Sequence, residues 1–482
     1  MINFKIVIRM LGSLLFIESF FLLLSAIVSL LYQDQAFYSL LIPSAIAFLL
    51  GGFAWYKTSK APKSLGKREG YLIVSLVWVV FSIFGSLPFM ISGEIPGFTD
   101  AFFETMSGFT TTGASILNNI EAMPKGLLFW RSITQWMGGM GMIVMSLAIL
   151  PMLGIGGMEL FVAEVPGPTT DKLHPRVRQT AKRLWGIYTA FTAMEIILLM
   201  FGGMNFFDAI NHSFTTMATG GYSTKQASIA GETPYIQYVI SLFMLIAGVN
   251  FTLSYFALKF KFKKVFSNEE FRWYISFVFA FTVALTAIVY FRNYTDGLEK
   301  AFRDSLFQVI SIITTTGYVT ADYLEWGTFG IMLIFTMMFL GGSAGSTGGG
   351  IKIVRVIILF KNSLLEFKRL LHPRAVIPVR LNHKAVNQMI VTNVLAFIVF
   401  YILTFVAGSI IMAALGLDLE SSMGSVIACL GNIGPGIGSV GPVVNFAHIP
   451  DVGKWILSFL MLMGRLELFT VMIIFTPVFW KR

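Results

Sequence analysis

The sequence predicts an all-α polytopic membrane protein. Four repeats of a span, a short pore helix and a second span (M1–pore helix–M2) surround a pseudo-fourfold pore, after two extra leading transmembrane helices. Composition is the first reason, because 56% of the residues are hydrophobic and only 12% are charged, about half the roughly 25% typical of soluble domains. Mean hydropathy is +0.76. Apolar stretches of about 18 or more residues recur, each long enough to cross about 30 Å of hydrocarbon.

The second reason is a pattern that occurs four times, a short apolar helix followed by a loop that reaches a glycine. The four segments open at Asp100, Asp208, Asp304 and Ser421. Thirteen residues after each opening residue comes the aligned glycine: Gly113, Gly221, Gly317 and Gly434. Four such loops on one chain can close a ring of backbone carbonyls, which is how a protein replaces the hydration shell of a cation.

The spans divide the chain into a leading pair and four units. The leading spans are predicted near 7–32 and 37–56. The units use spans near 70–92 and 127–150, 184–203 and 235–258, 273–291 and 328–360, and 386–415 and 453–479. The predicted domains are therefore residues 1–66 for the leading helices and 67–160, 161–265, 266–370 and 371–482 for pore repeats one to four.

The basic residues indicate which way the chain crosses the membrane. The net charge is +10, and 27 of the 35 Lys and Arg residues lie at the two termini or in four clusters, at 57–68, 172–183, 259–272 and 352–384. All of these fall on one predicted side, which the positive-inside rule makes cytoplasmic, together with both termini. Membrane topology, rather than nucleic-acid binding, therefore explains the charge.

The segments between paired spans are too apolar for ordinary outer loops, and the alternative to re-entry is an amphipathic surface helix. Non-helical backbone at membrane depth is tolerated only where protein buries it or where it lines water. Glycine lets successive carbonyls point inward, and the negative end of each pore helix favours a cation beneath the loop. The predicted selectivity filter and cation site consist of Thr111, Thr112, Gly113, Thr219, Gly220, Gly221, Thr315, Thr316, Gly317, Asn432, Ile433 and Gly434.

Several longer motifs carry a family resemblance: Asp100-AFFETMSGFTTTG-Ala114, Gln135-WMGGMG-Met142, Gly341-GSAGSTGGG-Ile351 and Gly464-RLELFT-Val471. On these, the chain resembles the TrkH/TrkG-type bacterial potassium-uptake subunits of the Trk/Ktr/HKT superfamily over essentially all 482 residues. The resemblance implies K⁺ uptake across the bacterial inner membrane through a K⁺-channel-like pore. It also implies a homodimer, a cytosolic RCK-type nucleotide-binding subunit (TrkA-like), and no bound cofactor besides K⁺ as the permeant ion. In plant relatives, serine at the first filter glycine marks sodium preference, so Gly113 indicates potassium.

The gate is predicted from two features below the filter. The first is the Gly-rich interruption of the third unit's second span: Gly341, Gly342, Ser343, Ala344, Gly345, Ser346, Thr347, Gly348, Gly349 and Gly350. So many glycines disfavour a continuous helix; tight helix packing and a phosphate-binding loop are the alternatives. The second is Arg465, whose charge near the middle of a span needs water or a partner. The resemblance makes both features obstructions of the pathway, and a structural Arg–carboxylate pair is the alternative for Arg465.

The acids before the pore helices have two interpretations. Asp100, Glu104, Asp208 and Asp304 could concentrate cations at the outer mouth. We expect the three aspartates, which open the short helices, to cap them instead. The sequence leaves open whether Asn250 reaches the pathway, and it assigns no role to Glu18 or Glu195.

Three classes of function compete for this chain. A membrane enzyme is disfavoured, because no span carries a metal-ligand cluster or a Ser-His or Cys-His arrangement, so the chain is predicted not to be an enzyme. A secondary transporter with inverted repeats is disfavoured because the four units run in one direction. A K⁺ pore remains, with symport coupled to H⁺ or Na⁺ as the alternative mechanism.

Overall fold

The computed structural model describes residues 2–59, 66–141 and 177–481. Within these ranges, six helices are long and apolar enough to cross a membrane, and two bent pairs of helices bring the number to eight if each pair is one span. The predicted all-α class is confirmed. The strands among the described residues form one small antiparallel hairpin, β1 (Arg380–Leu381) with β2 (Lys384–Ala385).

The helices are numbered in chain order. The leading pair is α1 (Phe4–Leu31) and α2 (Phe37–Lys57); the first unit has α3 (Lys67–Ser92), α4 (Phe98–Phe109) and α5 (Lys125–Trp136). The second unit has α6 (Val177–Phe201), α7 (Phe206–Met217), α8 (Pro234–Ala247), α9 (Phe251–Leu258) and α10 (Phe262–Phe266). The third has α11 (Glu269–Phe291), α12 (Leu298–Ile313), α13 (Gly327–Met337) and α14 (Ile353–Leu371). The fourth has α15 (Gln388–Ala414), α16 (Leu419–Leu430), α17 (Asp451–Arg465), α18 (Phe469–Met472) and α19 (Pro477–Trp480).

Small residues hold the leading pair together and fasten it to the first unit. Ser19 and Ser44 each donate a hydroxyl hydrogen bond to the other's carbonyl oxygen, both at 2.8 Å. A Cβ built on Gly12 of α1 would lie 2.9 Å from the carbonyl oxygen of Gly51 in α2. Small residues of this kind let membrane helices approach closely where no hydrophobic effect drives them together. A Cβ on Gly126 would similarly lie 2.6 Å from the Cβ of Ser29, so α5 packs tightly against α1.

The first span and the pore helix of each unit follow the predicted order. Helices α3, α6, α11 and α15 are the four first spans, and each is followed by one of the four pore helices α4, α7, α12 and α16. In each unit a turn follows the end of the pore helix and leads into the loop that contains the aligned glycine. The predicted M1–pore helix–M2 order and the two extra leading helices are therefore confirmed, whereas the exact domain boundaries stay a prediction.

The second spans are less regular than the sequence predicts. The expected continuous spans near 235–258 and 453–479 are wrong, because each bends sharply at a short break, by 111° between α8 and α9 and by 110° between α17 and the helical segment that follows. In the second unit Asn250 starts a new helix by accepting a hydrogen bond from the backbone N–H of Thr252 at 2.8 Å. In the fourth, Glu467 and Leu468 have φ of 54° and 53°, which an α-helix cannot accommodate.

The other two second spans are interrupted as well. In the first unit α5 continues into a π-helical turn at Met137–Gly141, where Gly139 has a non-helical ψ of −114°. The rest of the span predicted near 127–150 lies outside the described residues. In the third unit the predicted interruption is present, because α13 ends at Met337 and α14 begins at Ile353, with the Gly-rich segment between them.

The expectation that Asp100, Asp208 and Asp304 cap the pore helices is wrong. The N-cap residues are Gly97, Asn205 and Gly297. The helices begin earlier because a cap residue well suited to that place precedes each predicted opening. Asp304 lies inside α12 with 3% of its surface exposed, and Asp100 forms an ion pair with Lys454 at 2.5 Å. The three aspartates therefore lie past the helix caps, in the first turns of α4 and α7 and inside α12.

Candidate ion pathway

Four central loops have the same backbone geometry. We name them loop 1 (residues 111–113), loop 2 (219–221), loop 3 (315–317) and loop 4 (432–434). In each, the middle residue donates its N–H to a pore-helix carbonyl five residues earlier: Thr112 to Ser107, Gly220 to Thr215 and Thr316 to Ser311 at 2.8 Å, and Ile433 to Ala428 at 2.9 Å. The first residue of every loop has a φ between 51° and 58°, and the aligned glycine also has a positive φ.

The loops also contact one another in a closed cycle. A Cβ built on Gly113 would overlap the carbonyl oxygen of Gly220, and one on Gly221 would overlap that of Thr316. A Cβ on Gly317 would overlap the carbonyl oxygen of Ile433, and one on Gly434 would lie 2.8 Å from the carbonyl oxygen of Thr112. Loop 1 therefore meets loop 2, loop 2 meets loop 3, loop 3 meets loop 4, and loop 4 returns to loop 1. The structure brings the twelve predicted filter residues together in one ring; their role in ion selection stays a prediction.

The inner end of the ring carries side-chain oxygens. Thr111 and Asn432, the first residues of loops 1 and 4, are at most 1% exposed, and the Thr111 hydroxyl and the Asn432 Oδ1 have no hydrogen-bond partner among the described residues. The hydroxyl of Thr315 accepts the backbone N–H of Gly349 at 2.6 Å. The pore helices end just beneath, so the negative ends of their dipoles face the same place.

An open cavity lies outside the ring. Gly113, Gly221, Gly317 and Gly434 all line it. Lys225, also at its wall, forms an ion pair with Glu232. Partial burial lowers the pKa of Lys225, but the bond and charge of Glu232 outweigh this effect and leave the pKa above its ordinary value. The positive charge at the mouth is thus permanent near neutral pH and is locally balanced.

Three buried tyrosines join the chain that follows loops 2 and 3 to neighbouring units. The Tyr222 hydroxyl, just after loop 2, donates to the carbonyl of Glu104 in α4 at 2.6 Å. The Tyr318 hydroxyl, just after loop 3, donates to the carbonyl of His212 in α7 at 3.1 Å. Tyr323 donates in turn to the carbonyl of Gly436, beyond loop 4, at 2.6 Å. These bonds act from outside the ring and resist its expansion.

Glu104 is a structural acid and not an exposed charge at the mouth. It is 1% exposed, and its carboxylate accepts from Arg131 Nε at 2.7 Å and from the backbone N–H of Ile116 at 2.9 Å. Arg131 also donates to the carbonyl of Ser223 at 2.9 Å and stacks on Tyr222, 3.5 Å from the ring centroid. The pair therefore joins α4, α5 and the chain that follows loop 2.

The Gly-rich segment 341–350 lies directly beneath the ring. Thr347 donates its hydroxyl to the carbonyl of Met217, the last residue of a pore helix, at 3.1 Å. The N–H of Gly349 reaches the hydroxyl of Thr315 in loop 3, and a Cβ on Gly349 would lie 2.5 Å from the carbonyl oxygen of Gly431. The segment thus touches three of the four pore-helix ends.

Arg465 bridges this segment to the first unit. Its guanidinium donates to the carbonyl of Thr347 at 2.8 Å, to that of Gly139 at 2.9 Å and to that of Gly138. The nearby Glu467 pairs with Arg355 of α14. Arg465 therefore lies under the ring and connects two broken second spans through backbone carbonyls.

Other polar groups hold the Gly-rich segment in place. Asn250, whose role the sequence leaves open, donates to the carbonyl of Ala344 at 2.6 Å. Glu270 of α11 accepts the backbone N–H of Ala344 at 2.7 Å, and Lys352 donates to the carbonyl of Gly348. The segment is thus attached to the second and third units at its middle and at its end.

The comparisons with known proteins agree with this architecture. A family model described as "TrkH: Cation transport protein" matches residues 38–482. The chain belongs to the TrkH family. It is 42% identical to the Trk system potassium uptake protein TrkH of Escherichia coli (strain K12), over 99% of this chain and 100% of that protein.

Two further relatives of the TrkH family widen the comparison. The chain is 35% identical to the Trk system potassium uptake protein TrkG of E. coli (strain K12), over 99% of each chain. The crystal structure of the potassium transporter TrkH from Vibrio parahaemolyticus matches with a TM-score of 0.89 and 38% identity over 100% of both chains. The resemblance predicted from the sequence is confirmed, and TrkH proteins are transporters rather than enzymes.

The sequence interpretation missed two residues behind the ring, Arg131 and Gln135. Both lie on α5, and Gln135 contacts loop 2 through its side-chain amide, with Nε2 donating to the carbonyl of Gly220 at 2.7 Å. The sequence contains a signal that could have identified Arg131. An arginine and a glutamate in consecutive apolar segments, here Arg131 and Glu104, predict a buried pair because neither charge tolerates lipid alone. No sequence signal distinguished Gln135 from an ordinary buried amide.

Alanine at Gly317 should abolish K⁺ uptake, because its Cβ would overlap the carbonyl oxygen of Ile433 and push loops 3 and 4 apart. Gly297 is a matched control, since its φ of 82° is nearly that of Gly317 at 83°, but a Cβ there meets nothing within 4 Å. Both substitutions place an alanine at nearly the same positive φ, but only Gly317→Ala adds a collision with a neighbouring loop, so only this variant should lose transport. Rubidium uptake corrected for the amount of protein measures the difference; equal losses would contradict close contact in the ring.

Breaking the buried pair should destabilise the protein strongly. Glu104→Gln leaves Arg131 charged and uncompensated in a site where only 3% of its side chain is exposed, which costs roughly 3–5 kcal/mol. The control is Glu366→Gln, which breaks an exposed i,i+3 pair with Arg369 and should cost under about 1 kcal/mol. Thermal unfolding of the detergent-solubilised variants compares the two, and similar midpoints would contradict a structural role for the buried pair.

Proposed function

We propose that the chain takes up potassium across the bacterial inner membrane through a single-chain pore, with the four central loops as its selectivity filter. The observation that supports this most directly is the cyclic contact in which each aligned glycine meets the carbonyl of the next loop. A ring of carbonyls replaces the hydration shell of a permeating cation. The names of the relatives, which are potassium uptake proteins, support potassium as that cation.

The filter is expected to be less selective than that of a four-site channel. Of the four loops, only loop 4 continues with a second glycine two positions on, at Gly436. The best-defined K⁺ site is therefore the level of the ring itself, where the middle residues Thr112, Gly220, Thr316 and Ile433 present their carbonyls. The side-chain oxygens of Thr111 and Asn432 add ligands at its inner end.

Contacts among the chain ends support cytoplasmic termini. The backbone N–H of Asn3 donates to Glu69 at 2.9 Å, and Arg68 donates to the carbonyl of Lys481 at 2.6 Å. Both ends of the chain therefore meet the start of α3, next to the first basic cluster. The positive-inside rule assigns this side to the cytoplasm.

The Gly-rich segment 341–350 and Arg465 form the gate in this proposal. The segment contacts Met217 at the end of a pore helix and Thr315 at the start of loop 3. Glycine-rich backbone moves with little steric hindrance. The charge of Arg465, held against Thr347, repels a cation leaving the ring. Opening requires these contacts to break, so that the segment moves aside and the charge moves with it.

A cytosolic partner and a second copy of the chain complete the proposal. The hairpin β1–β2 and the start of α11 are joined by the N–H of Glu269, which donates to Asn382 at 2.7 Å, and Lys361 pairs with Glu269. The basic clusters at 259–272 and 352–384 are thus neighbours on one surface. This surface suits an RCK-type nucleotide-binding subunit (TrkA-like), with the chain itself as a homodimer. Helix α14 begins just after the Gly-rich segment, so its motion would transmit the binding of the cytosolic partner to the gate.

Ion flux into liposomes tests the proposed activity. Purified protein should pass Rb⁺ and K⁺ in preference to Na⁺, and its current should reverse at the potassium equilibrium potential. A coupled symporter would instead shift that reversal potential by the amount that a fixed stoichiometry of K⁺ with H⁺ or Na⁺ dictates when the gradient of the coupled ion changes. We expect no such shift, and protein-dependent flux that does not distinguish K⁺ from Na⁺ would refute the proposed filter.

Shortening the gate should increase the flux. Deletion of residues 345–347 or the substitution Arg465→Ala removes the contact between Arg465 and the carbonyl of Thr347, so Rb⁺ uptake should rise severalfold for the same amount of protein. Arg465→Lys keeps the charge and should lie between Arg465→Ala and the unchanged chain. Arg292→Ala, which removes an exposed arginine at the C-cap of α11, is the control and should leave uptake unchanged. Uptake that stays constant or falls in well-folded gate variants would contradict a gating role.

A further inference from the structure

Loop 2 lacks a side chain that its neighbours use to hold their shape. The middle residues of loops 1 and 3 are Thr112 and Thr316, whose hydroxyls pair at 2.8 Å with those of Thr110 and Thr314 at the ends of their own pore helices. The middle residue of loop 2 is Gly220, and the preceding helix end carries Ala218 in place of a threonine. Loop 2 therefore has neither hydroxyl of this internal pair.

Gln135 fills that space from the neighbouring unit. Its Nε2 donates to the carbonyl of Gly220 at 2.7 Å, and its Oε1 accepts the N–H of Tyr222 at 3.0 Å. The side chain is fully buried, and a Cβ on Gly220 would collide with its amide group. Because a backbone N–H can only donate, the contact with Tyr222 also fixes which way the amide points. Glycine at 220 and glutamine at 135 are thus sterically matched.

The carbonyl that Gln135 binds belongs to the ring. The same Gly220 oxygen is the one against which Gly113 of loop 1 packs. Glycine gives this peptide more rotational freedom than threonine or isoleucine gives the other three, so an external bond is needed to fix its direction. A donor on that oxygen also draws electron density away from a cation.

We propose that Gln135 is a positioning residue that orients the Gly220 carbonyl and thereby sets the discrimination between K⁺ and Na⁺ at the second quadrant of the filter. This inference rests on the proposed function. The other three quadrants are held differently, by the two threonine pairs and by Asn432, which donates to Thr112 Oγ1 and to the carbonyl of Met461, both at 2.9 Å. The loss of Gln135 removes the two hydrogen bonds that hold loop 2 and leaves the bonds of the other three loops intact.

The decisive variant is Gln135→Met, which keeps the volume of the side chain and removes both hydrogen bonds. Loss of a buried hydrogen bond of ordinary strength should reduce the ratio of K⁺ to Na⁺ uptake roughly three- to tenfold. The expected change is a higher KM for K⁺ and a larger Na⁺ flux, with the maximal K⁺ rate retained. The measurement is uptake of both ions in liposomes containing the full chain, corrected for protein.

Two further variants separate positioning from packing. The triple variant Q135A/A218T/G220T installs the threonine pair of loops 1 and 3 in loop 2 and should restore most of the K⁺ to Na⁺ ratio. Gln237→Ala removes another buried glutamine, whose Nε2 donates at 3.1 Å to the carbonyl of Ile229, a residue outside the four loops. This control should leave the ratio unchanged. An effect of Gln237→Ala as large as that of Gln135→Met would overturn the inference.

A filter variant distinguishes failure of this inference from failure of the proposed function. Gly113→Ser alters the ring directly, because its Cβ would overlap the carbonyl oxygen of Gly220. K⁺ uptake should therefore fall, as in Gly317→Ala, and the ratio in the remaining uptake should shift toward Na⁺ whatever Gln135 does. If Gly113→Ser shifts the ratio and Gln135→Met does not, Gln135 is only a packing residue and the filter stands. If neither variant changes the ratio in folded protein, the loops do not select the ion and both proposals fail. If Gln135→Met does not fold, a triple variant that folds with the native ratio supports the assignment, and one that folds with a lost ratio overturns it.

Discussion

Backbone polar groups buried at membrane depth have to be satisfied within the protein, and the four central loops meet this demand with one repeated hydrogen bond. The middle residue of every loop gives its N–H back to the pore helix that precedes it, at 2.8 or 2.9 Å. The bond commits the donor to the helix side and leaves the carbonyl of the same residue to face its neighbour. A single interaction therefore stabilises a non-helical segment and also orients the oxygens that a cation would meet.

The close approach of the loops explains features far from the ring. Each aligned glycine leaves no room for a Cβ, so the four units cannot separate or slide without losing contact with the next carbonyl. The space immediately beneath is occupied by chain that has left its helix, at Gly139, Asn250, the segment 341–350 and Glu467. A continuous second helix would instead carry its side chains past the pore-helix ends, and the breaks let backbone and Arg465 lie there.

The sequence predicted what repeats and missed what differs between repeats. Apolar length and the fourfold glycine spacing were sufficient for the spans, the pore helices and the order of the units. The breaks in the second and fourth units were missed because Gly248-Val249-Asn250 and Leu466-Glu467-Leu468 contain no proline and no glycine run, and tertiary contacts outweigh local propensity there. The prediction that aspartates cap the pore helices was wrong for a local reason, because a residue suited to the N-cap position precedes each of them. Contacts such as that of Gln135 with loop 2 depend on which helix face meets which loop, and periodicity in one chain does not encode this.

A single chain can hold a symmetric ring with unlike supports, and four identical subunits cannot. The backbone bonds of the loops are nearly identical in all four units, whereas the side chains behind them are not: threonine pairs hold loops 1 and 3, an amide from α5 holds loop 2, and Asn432 holds loop 4. The chain beneath the ring is also one-sided, because the Gly-rich segment of the third unit lies there and Arg465 of the fourth unit donates to it. Backbone symmetry is what coordination of a spherical ion requires. Once main-chain bonds secure that symmetry, the side chains of each unit are free to diverge, and in the proposed mechanism the pore opens when one unit moves.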